Sequence, residues 1–182
     1  MSPELHISLS NLQSNIHFFQ RIIKNNTELS AVVKSDAYGL GIAKIVPEIE
    51  RYGVRSFFTA TISEAIKVRS YSRDSEIFTL NGFDFLKSNL YKKHNITPII
   101  NNILEAQKFI EIFNQTQKVA IQLNTGMNRL GLDKQSLLEN IDIIKSLPLN
   151  LILSHLACAD DKSNKENTAQ KVLFIKLCQI FP

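Results

Sequence analysis

The chain has 182 residues, of which 44% are hydrophobic and 21% are charged, and its formal net charge at pH 7 is +4. This composition is ordinary for a globular protein and excludes a disordered chain. The lysines and arginines are scattered along the sequence with no aromatic interleaving, so we expect no nucleic-acid site.

Cysteine usage and hydropathy narrow the expected compartment. Cys158 and Cys178 form no CxxC pair, which predicts no disulfide framework, no metal site and a reducing cytoplasm. The longest apolar run, residues 149–159, is broken by Asn150, Ser154 and His155 and is far shorter than a membrane span. The N-terminus lacks the charged start and apolar core of a secretory signal. We therefore expect a cytoplasmic protein with no membrane segment.

In chain order, the sequence predicts an opening helix and then six strand–helix pairs. Apolar residues recur at helical spacing over 9–24, with Ser8 or Ser10 available as a cap. The continuous apolar run at 29–33 predicts a strand buried on both faces, followed by the turn KSDAYGLG. The strands are predicted at 29–33, 56–61, 76–80, 97–100, 119–123 and 149–154, and the helices that follow them at 42–52, 62–70, 84–93, 104–113, 134–146 and from 165 onward. No hairpin signal joins two strands, so a parallel sheet with right-handed crossovers is expected.

Six β/α units fit an open doubly wound sheet or most of an eight-stranded barrel. Polar residues follow several of the predicted strands, namely Lys34, Thr61, residues 124–129 and His155. In a barrel these strand ends meet at one face and form one site, whereas in an open sheet they lie spread along an edge. The pattern therefore favours a single α/β domain over residues 1–182, a TIM-barrel-like fold of about six β/α units.

The stretch Ala31 to Gly41, AVVKSDAYGLG, carries the first candidate for chemistry. A lysine against an apolar wall at the end of a buried strand loses hydration, which favours the neutral amine. A neutral amine can attack a carbonyl, as in a Schiff base with a substrate or with pyridoxal phosphate. The alternative is a Lys34 side chain that simply leaves the strand for solvent.

Two further segments follow the fifth and sixth strands. In LNTGMNRLG, Gly126 permits a tight turn from which Arg129 can point toward an oxyanion or phenolate. In LSHLACADD, His155 can stack on or hydrogen-bond a ring-shaped cofactor. The alternatives are a surface loop with a solvated arginine and a core histidine bonded to a carbonyl.

Taken together, these three segments resemble bacterial alanine racemase. AVVKSDAYGLG is similar to the cofactor-lysine motif of that family, LNTGMNRLG to its TGMxRLG loop and SHLACADD to its histidine segment. ATISEA (60–65) and INNILEA (100–106) also resemble it. The resemblance covers the N-terminal barrel part of a pyridoxal phosphate enzyme of fold type III, which in the family is followed by a β-rich domain.

The resemblance implies roles for five residues. Lys34 would bind pyridoxal 5'-phosphate covalently and act as the base on the D-alanine side, and Tyr38 would contact the cofactor phosphate. Arg129 would contact the cofactor's phenolic oxygen, Met127 and Arg129 the substrate, and His155 the region beside the pyridine ring. The implied activity is the interconversion of L- and D-alanine for peptidoglycan synthesis.

Two departures from the family pattern are visible. Many relatives carry a lysine just before the TGM loop that orients the arginine, whereas the positions here are Gln122 and Asn124, so Arg129 needs another partner. The sequence also ends after the sixth unit, so the resemblance implies that the later phosphate-binding loops, the β domain and the tyrosine of the second face are missing. They would come from a homodimer partner or from another chain that supplies the missing half.

Three functional hypotheses follow from these observations. The first is a truncated or split alanine racemase. The second is a non-catalytic single-domain barrel protein that holds pyridoxal phosphate on Lys34, and the third is an inactive truncated gene product. Because a six-stranded remnant would leave apolar edges, we also expect an isolated polypeptide that self-associates or dissolves poorly.

Overall fold

The computed structural model describes residues 4–181 and contains six parallel strands that alternate with helices. The strands are β1 Ala31–Val32, β2 Ser56–Thr59, β3 Glu76–Thr79, β4 Thr97–Ile100, β5 Val119–Gln122 and β6 Leu149–Leu153. The helices are α1 Leu9–Ile22, α2 Ile42–Arg51, α3 Ile62–Arg69, α4 Ser88–Lys93, α5 Ile103–Phe113, α6 Lys134–Glu139, α7 Ile141–Lys145 and α8 Lys165–Cys178. The predicted β/α alternation with parallel pairing is confirmed.

Two compact units divide the chain. The first unit runs to Leu80 and includes Lys93–Ile96, and the second contains Asn81–Lys92 and the residues from Thr97 onward. In the first unit, β1 pairs with β2, and β2 pairs with β3 in the register Phe57 to Ile77 and Phe58 to Phe78. The rings of Phe58 and Phe78 stack with centroids 4.8 Å apart, and Phe57 and Ile77 are fully buried.

In the second unit, β4 pairs with β5 and β5 pairs with β6, with a register shift between Val119 and Ala120. Every residue of β4 and β5 is buried, as expected for parallel strands that are covered on both faces. A cluster of four aromatic rings packs beside these strands and forms much of the core of this unit: Phe83, Tyr91, Phe109 and Phe113.

Side-chain caps fix several helix starts. Ser8 accepts the amide hydrogen bond of Asn11 and begins α1, as the sequence predicts. Thr61 and Glu64 form a reciprocal capping box at the start of α3. Asn102, Asp133 and Asn164 cap α5, α6 and α8 in the same way as Ser8.

Three sequence predictions are wrong in detail. Strand β1 has only two residues, and Val32 is 45% exposed, so β1 is not buried on both faces. The helix predicted over 134–146 breaks at Asn140, because the side-chain Nδ2 of Asn140 donates to the Ser136 carbonyl at 3.0 Å and competes with the helical backbone. The helix predicted over 84–93 begins as a 3-10 turn at Phe85–Lys87 and becomes α-helical only at Ser88.

Candidate functional site

Lys34 leaves the first strand at its carboxyl end. The preceding residue, Val33, is 1% exposed, and its amide donates to the Phe58 carbonyl at 2.8 Å, which continues the β1–β2 ladder by one residue. Lys34 itself is half-buried, and the backbone turns immediately after it. The strand therefore fixes the backbone position from which the lysine side chain begins.

The turn after Lys34 is left-handed and contains no glycine in its first four residues. The φ angles of Ser35, Asp36, Ala37 and Tyr38 lie between 52° and 56°. An L-residue in this conformation costs about 1–2 kcal/mol relative to the right-handed one, and such runs persist only where the surroundings over-determine them. Gly39 then follows at φ 86°. Strain of this kind clusters at functional sites, which favours a functional role for Lys34, the residue directly before the turn.

Within the segment itself, the turn is closed by backbone hydrogen bonds. The Ala37 amide donates to the Val33 carbonyl at 3.0 Å and the Gly39 amide to the Ser35 carbonyl at 2.9 Å. The Gly41 amide donates to the Asp36 carbonyl at 2.8 Å. These bonds satisfy the polar backbone groups of a tight turn, but they do not attach it to the rest of the unit.

Helix α3 makes the attachment through two side chains one turn apart. Glu64 accepts the Ser35 amide through Oε1 at 2.8 Å, and Lys67 Nζ lies 2.7 Å from Asp36 Oδ1. Asp36 Oδ1 also accepts the Ile42 amide at 3.1 Å. The hydrogen bond with Lys67, and secondly that with Ile42, lowers the pKa of Asp36, while the bond to Asp36 raises the pKa of Lys67. Both groups are therefore charged at neutral pH.

Tyr38 ends the turn and lies near Lys34. Its side chain is exposed, and Lys34 Nζ is 5.9 Å from the centroid of its ring, a distance at which a cation and an aromatic face attract. The structure thus brings together two of the predicted site residues, Lys34 and Tyr38, in the first unit.

The predicted arginine loop lies in the second unit, after β5. Asn124 Oδ1 accepts the amides of Gly126 and Asn128, both at 3.1 Å, and Gly126 and Asn128 have φ angles of 140° and 57°. The Leu132 amide donates to the Gln122 carbonyl at 2.8 Å and closes the base of the loop. The tight turn predicted at Gly126 is confirmed by its positive φ.

Arg129 projects from this ordered loop as an exposed side chain. It forms no ion pair with any carboxylate among residues 4–181. Gln122 Nε2 donates to the Leu130 carbonyl at 3.3 Å, and Asn124 Nδ2 bonds with Asn128, so neither residue that stands before the TGM loop pairs with Arg129. Met127, half-buried, lies two residues before Arg129 in the same loop.

The histidine segment after β6 is connected to the arginine loop through buried Gln170. Gln170, in α8, is 2% exposed. Its side-chain Nε2 donates to the His155 carbonyl at 3.0 Å and to Thr125 Oγ1 at 3.2 Å. Gln170 Oε1 accepts the Ala157 amide at 2.9 Å. Ser154 bonds to Thr125 Oγ1 at 2.8 Å and donates to the Leu123 carbonyl at 2.7 Å. Arg129, Met127 and His155 thus sit on two loops that one buried side chain holds together.

Sequence reasoning identified these loops but missed the residues that hold them. Glu64 carried a readable signal, because threonine followed three residues later by glutamate is the pattern of a capping box. Asp36 with Lys67, and Gln170, carried none, since their partners are 31 and 45 residues away in sequence. The convergence of Lys34 and Tyr38 with Arg129 and His155 on one face stays a prediction.

The chain is similar to proteins of one family over almost its whole length. A family model described as the N-terminal domain of alanine racemase matches residues 7–182. The alanine racemases of Rickettsia akari (strain Hartford) and Rickettsia canadensis (strain McKiel) are 32% and 34% identical to the chain over 185 residues, which is 98% of this chain and 52% of each relative. The chain therefore spans about half the length of these relatives.

Solved structures show the same fold. The alanine racemase of Bartonella henselae with covalently bound pyridoxal phosphate matches 97% of this chain and 53% of its own, at 32% identity and a TM-score of 0.89. The biosynthetic alanine racemase of Pseudomonas aeruginosa matches 94% of this chain and 49% of its own, at 28% identity and a TM-score of 0.82. The predicted α/β fold of the barrel type is confirmed. Because the family model matches residues 7–182, the chain belongs to the family of alanine racemase N-terminal domains.

Proposed function

We propose that this chain holds pyridoxal 5'-phosphate on Lys34 and forms the barrel part of an alanine racemase that interconverts L- and D-alanine. The observation that carries the proposal is the constrained left-handed turn 35–38, which fixes the backbone of Lys34 at the end of β1. A strained and firmly attached turn directly after an amine is the device that an enzyme needs to preorganise that amine.

The groups present fit the proposed cofactor in kind. Lys34 offers an amine for its aldehyde, and Tyr38 offers an exposed ring hydroxyl for its phosphate. Arg129 carries no ion-pair partner among the described residues and offers a permanent planar cation for its phenolic oxygen. When bound, pyridoxal phosphate supplies an electron sink for negative charge on the α-carbon.

We assign proton transfer, substrate contact and cofactor support to four residues of this chain. Lys34 Nζ would accept the α-proton of D-alanine in one direction of the reaction and would donate the α-proton that forms D-alanine in the other. Arg129 and Met127 border the alanine substrate, and His155 supports the cofactor beside its pyridine ring. Racemisation also needs a group on the opposite face that donates a proton in the first direction and accepts one in the second, and we assign this group to a homodimer partner or to a second chain. The product would be D-alanine for peptidoglycan synthesis in the cytoplasm.

The test is covalent attachment of the cofactor. The full chain is incubated with pyridoxal phosphate, reduced with borohydride and digested, and the modified peptide is identified by mass spectrometry. We expect the adduct on Lys34, its loss in Lys34→Ala and its retention in Lys44→Ala, since Lys44 is an exposed lysine of α2. A wild-type chain without an adduct on Lys34 would disprove the proposal.

Turnover is measured separately, because attachment and racemisation make different demands. The same preparations are incubated with L-alanine, and D-alanine is quantified by chiral chromatography. D-Alanine formed by the wild type and absent in Lys34→Ala would support a racemase. An adduct without D-alanine would restrict the function of the chain alone to cofactor binding.

A further inference from the structure

Glu64 uses both carboxylate oxygens on backbone amides of two different loops. Oε1 accepts the Ser35 amide at 2.8 Å, and Oε2 accepts the amides of Ala60 at 2.8 Å and Thr61 at 3.3 Å. Ser35 follows Lys34 directly, whereas Ala60 and Thr61 follow β2. One carboxylate thus connects the loop after the first strand to the loop after the second.

Lys67 makes the second attachment from the same face of α3. It lies three residues after Glu64 and therefore almost one helical turn further along, where its Nζ reaches Asp36 Oδ1 at 2.7 Å. Residues 35 and 36 are the first two residues of the left-handed run. Among the residues that the structure describes, the side-chain hydrogen bonds that reach this run from another element are those of Glu64 and Lys67.

We infer that Glu64 and Lys67 are positioning residues that hold Lys34 in the orientation needed to bind pyridoxal phosphate. This inference rests on the proposed function. Neither residue is assigned contact with the cofactor; each acts through the backbone turn. Without them, the left-handed run keeps its backbone hydrogen bonds and the bond from the Ile42 amide to Asp36 Oδ1, but Ser35, which follows Lys34 directly, loses its attachment to α3. The run can then relax toward an unstrained conformation, which moves the origin of the lysine side chain.

Glu64→Gln is the sharpest substitution, because it keeps size and removes one acceptor. A carboxylate accepts on both oxygens, whereas a carboxamide presents an NH₂ group on one side, which then faces an amide donor of either Ser35 or Ala60. The chain offers a matched control at Glu105, the third residue of α5. Its carboxylate accepts the amides of Asn101 and Phe83 at 2.9 and 3.2 Å and the side chain of Asn102 at 2.7 Å, in a segment without the cofactor lysine.

The experiment compares wild type, Glu64→Gln, Lys67→Met and Glu105→Gln in the full chain. The rate of borohydride-trapped attachment of pyridoxal phosphate to Lys34 is measured, together with the visible circular dichroism that a fixed orientation induces in the bound cofactor. We expect Glu64→Gln to slow attachment about tenfold and Lys67→Met about threefold, with a weakened dichroic band at equal occupancy, and Glu105→Gln to leave both unchanged.

The outcomes separate this inference from the proposed function. If wild type attaches no cofactor at Lys34, both are overturned. If wild type attaches it and both α3 variants match wild type in rate and dichroic band, only the positioning role is overturned. The same holds if Glu105→Gln slows attachment as much as Glu64→Gln, since the effect would then follow general stability. Lys67 is half-exposed, so Lys67→Met decides the question even if Glu64→Gln does not fold.

Discussion

Lys67 Nζ lies 2.7 Å from Asp36 Oδ1, so a cation on α3 neutralises a carboxylate two residues after the candidate cofactor lysine. The same oxygen accepts the Ile42 amide at the start of α2. Asp36 therefore joins the left-handed turn to two helices at once. Because both members of the pair are charged at neutral pH, the ion pair between Lys67 and Asp36 is fully formed across the physiological pH range.

The pH dependence of the Lys67–Asp36 ion pair follows from the two pKa shifts. The pKa of Asp36 is lowered, first by the hydrogen bond from Lys67, so its contribution to stability is present above the ordinary aspartate pKa and is lost as the pH falls below about 4. The pKa of Lys67 is raised by Asp36, so its contribution persists below the ordinary lysine pKa and is lost only above about pH 10. The turn should be insensitive to pH between these limits.

This is checked by following the carboxyl resonance of Asp36 by NMR during an acid titration. In Lys67→Met the midpoint should move up toward the ordinary aspartate value, although the bond from Ile42 still lowers it. Lys87→Met removes the comparable exposed pair with Asp84 and serves as the control. An Asp36 midpoint that is equal in wild type and Lys67→Met would contradict the pairing.

The hydrogen bonds of Arg69 predict a large loss of stability when this residue is replaced by lysine. Its guanidinium donates to five backbone carbonyls at 2.7–3.0 Å, those of Ser72, Arg73, Ser75, His94 and Asn95. The bonds to Ser72, Ser75 and His94 are half-buried. A lysine ammonium lacks the planar fork and leaves several of the five carbonyls without this partner. We expect Arg69→Lys to lower the free energy of unfolding by about 2–4 kcal/mol. Urea denaturation measures it, with the exposed Arg73→Lys as a control that should change little.

The sequence carries enough information for the elements but not for the conformation of the turn. Lys34 and the alternation of strands and helices are readable because apolar runs and helical periodicity are local patterns. The left-handed run is not readable, because serine, aspartate, alanine and tyrosine in succession do not favour positive φ, and only Gly39 and Gly41 mark the region. Arg69 likewise gives no local sign of the two loops whose carbonyls it binds.

Gln170 tests how the arginine loop and the histidine segment are held together. Gln170→Ala removes the bonds to Thr125, His155 and Ala157 and leaves buried polar groups unpaired, which should cost about 2–4 kcal/mol. The loop should also loosen, so trypsin should cleave after Arg129 several-fold faster than in wild type. Gln179→Ala, an exposed glutamine at the end of α8, is the control. Equal cleavage rates in wild type and Gln170→Ala would show that this side chain does not order the loop.

Alanine substitutions at Gly82 and Gly39 distinguish the cost of a steric conflict from the cost of backbone strain. Both have positive φ, 98° and 86°, so alanine is strained at either position by about 1 kcal/mol. At Gly39 an added Cβ meets nothing within 4 Å, whereas at Gly82 it would lie 2.6 Å from Glu105 Oε1. The Glu105 carboxylate is held by the amides of Phe83 and Asn101 and can move away only by breaking those bonds.

We therefore expect Gly82→Ala to destabilise the chain by about 1–3 kcal/mol more than Gly39→Ala, as measured by urea denaturation of the two variants side by side. The double variant Gly82→Ala with Glu105→Ala should recover part of the steric term, because the obstructing carboxylate is then absent. Equal unfolding free energies for Gly82→Ala and Gly39→Ala would mean that Glu105 moves aside at no cost.

Val32 tests the expected self-association of the isolated chain. Among the residues that the structure describes in the first unit, β1 pairs with β2 alone, so its other edge is open to pairing with a second copy, and Val32 on this strand is 45% exposed. Sedimentation velocity should show a weight-average mass that rises with concentration in the wild type and rises less in Val32→Lys, because a charged side chain at an edge discourages pairing. Val172→Lys, at an exposed position of α8, controls for added charge alone. A wild-type chain that stays monomeric at every concentration, with one cooperative melting transition, would overturn this expectation.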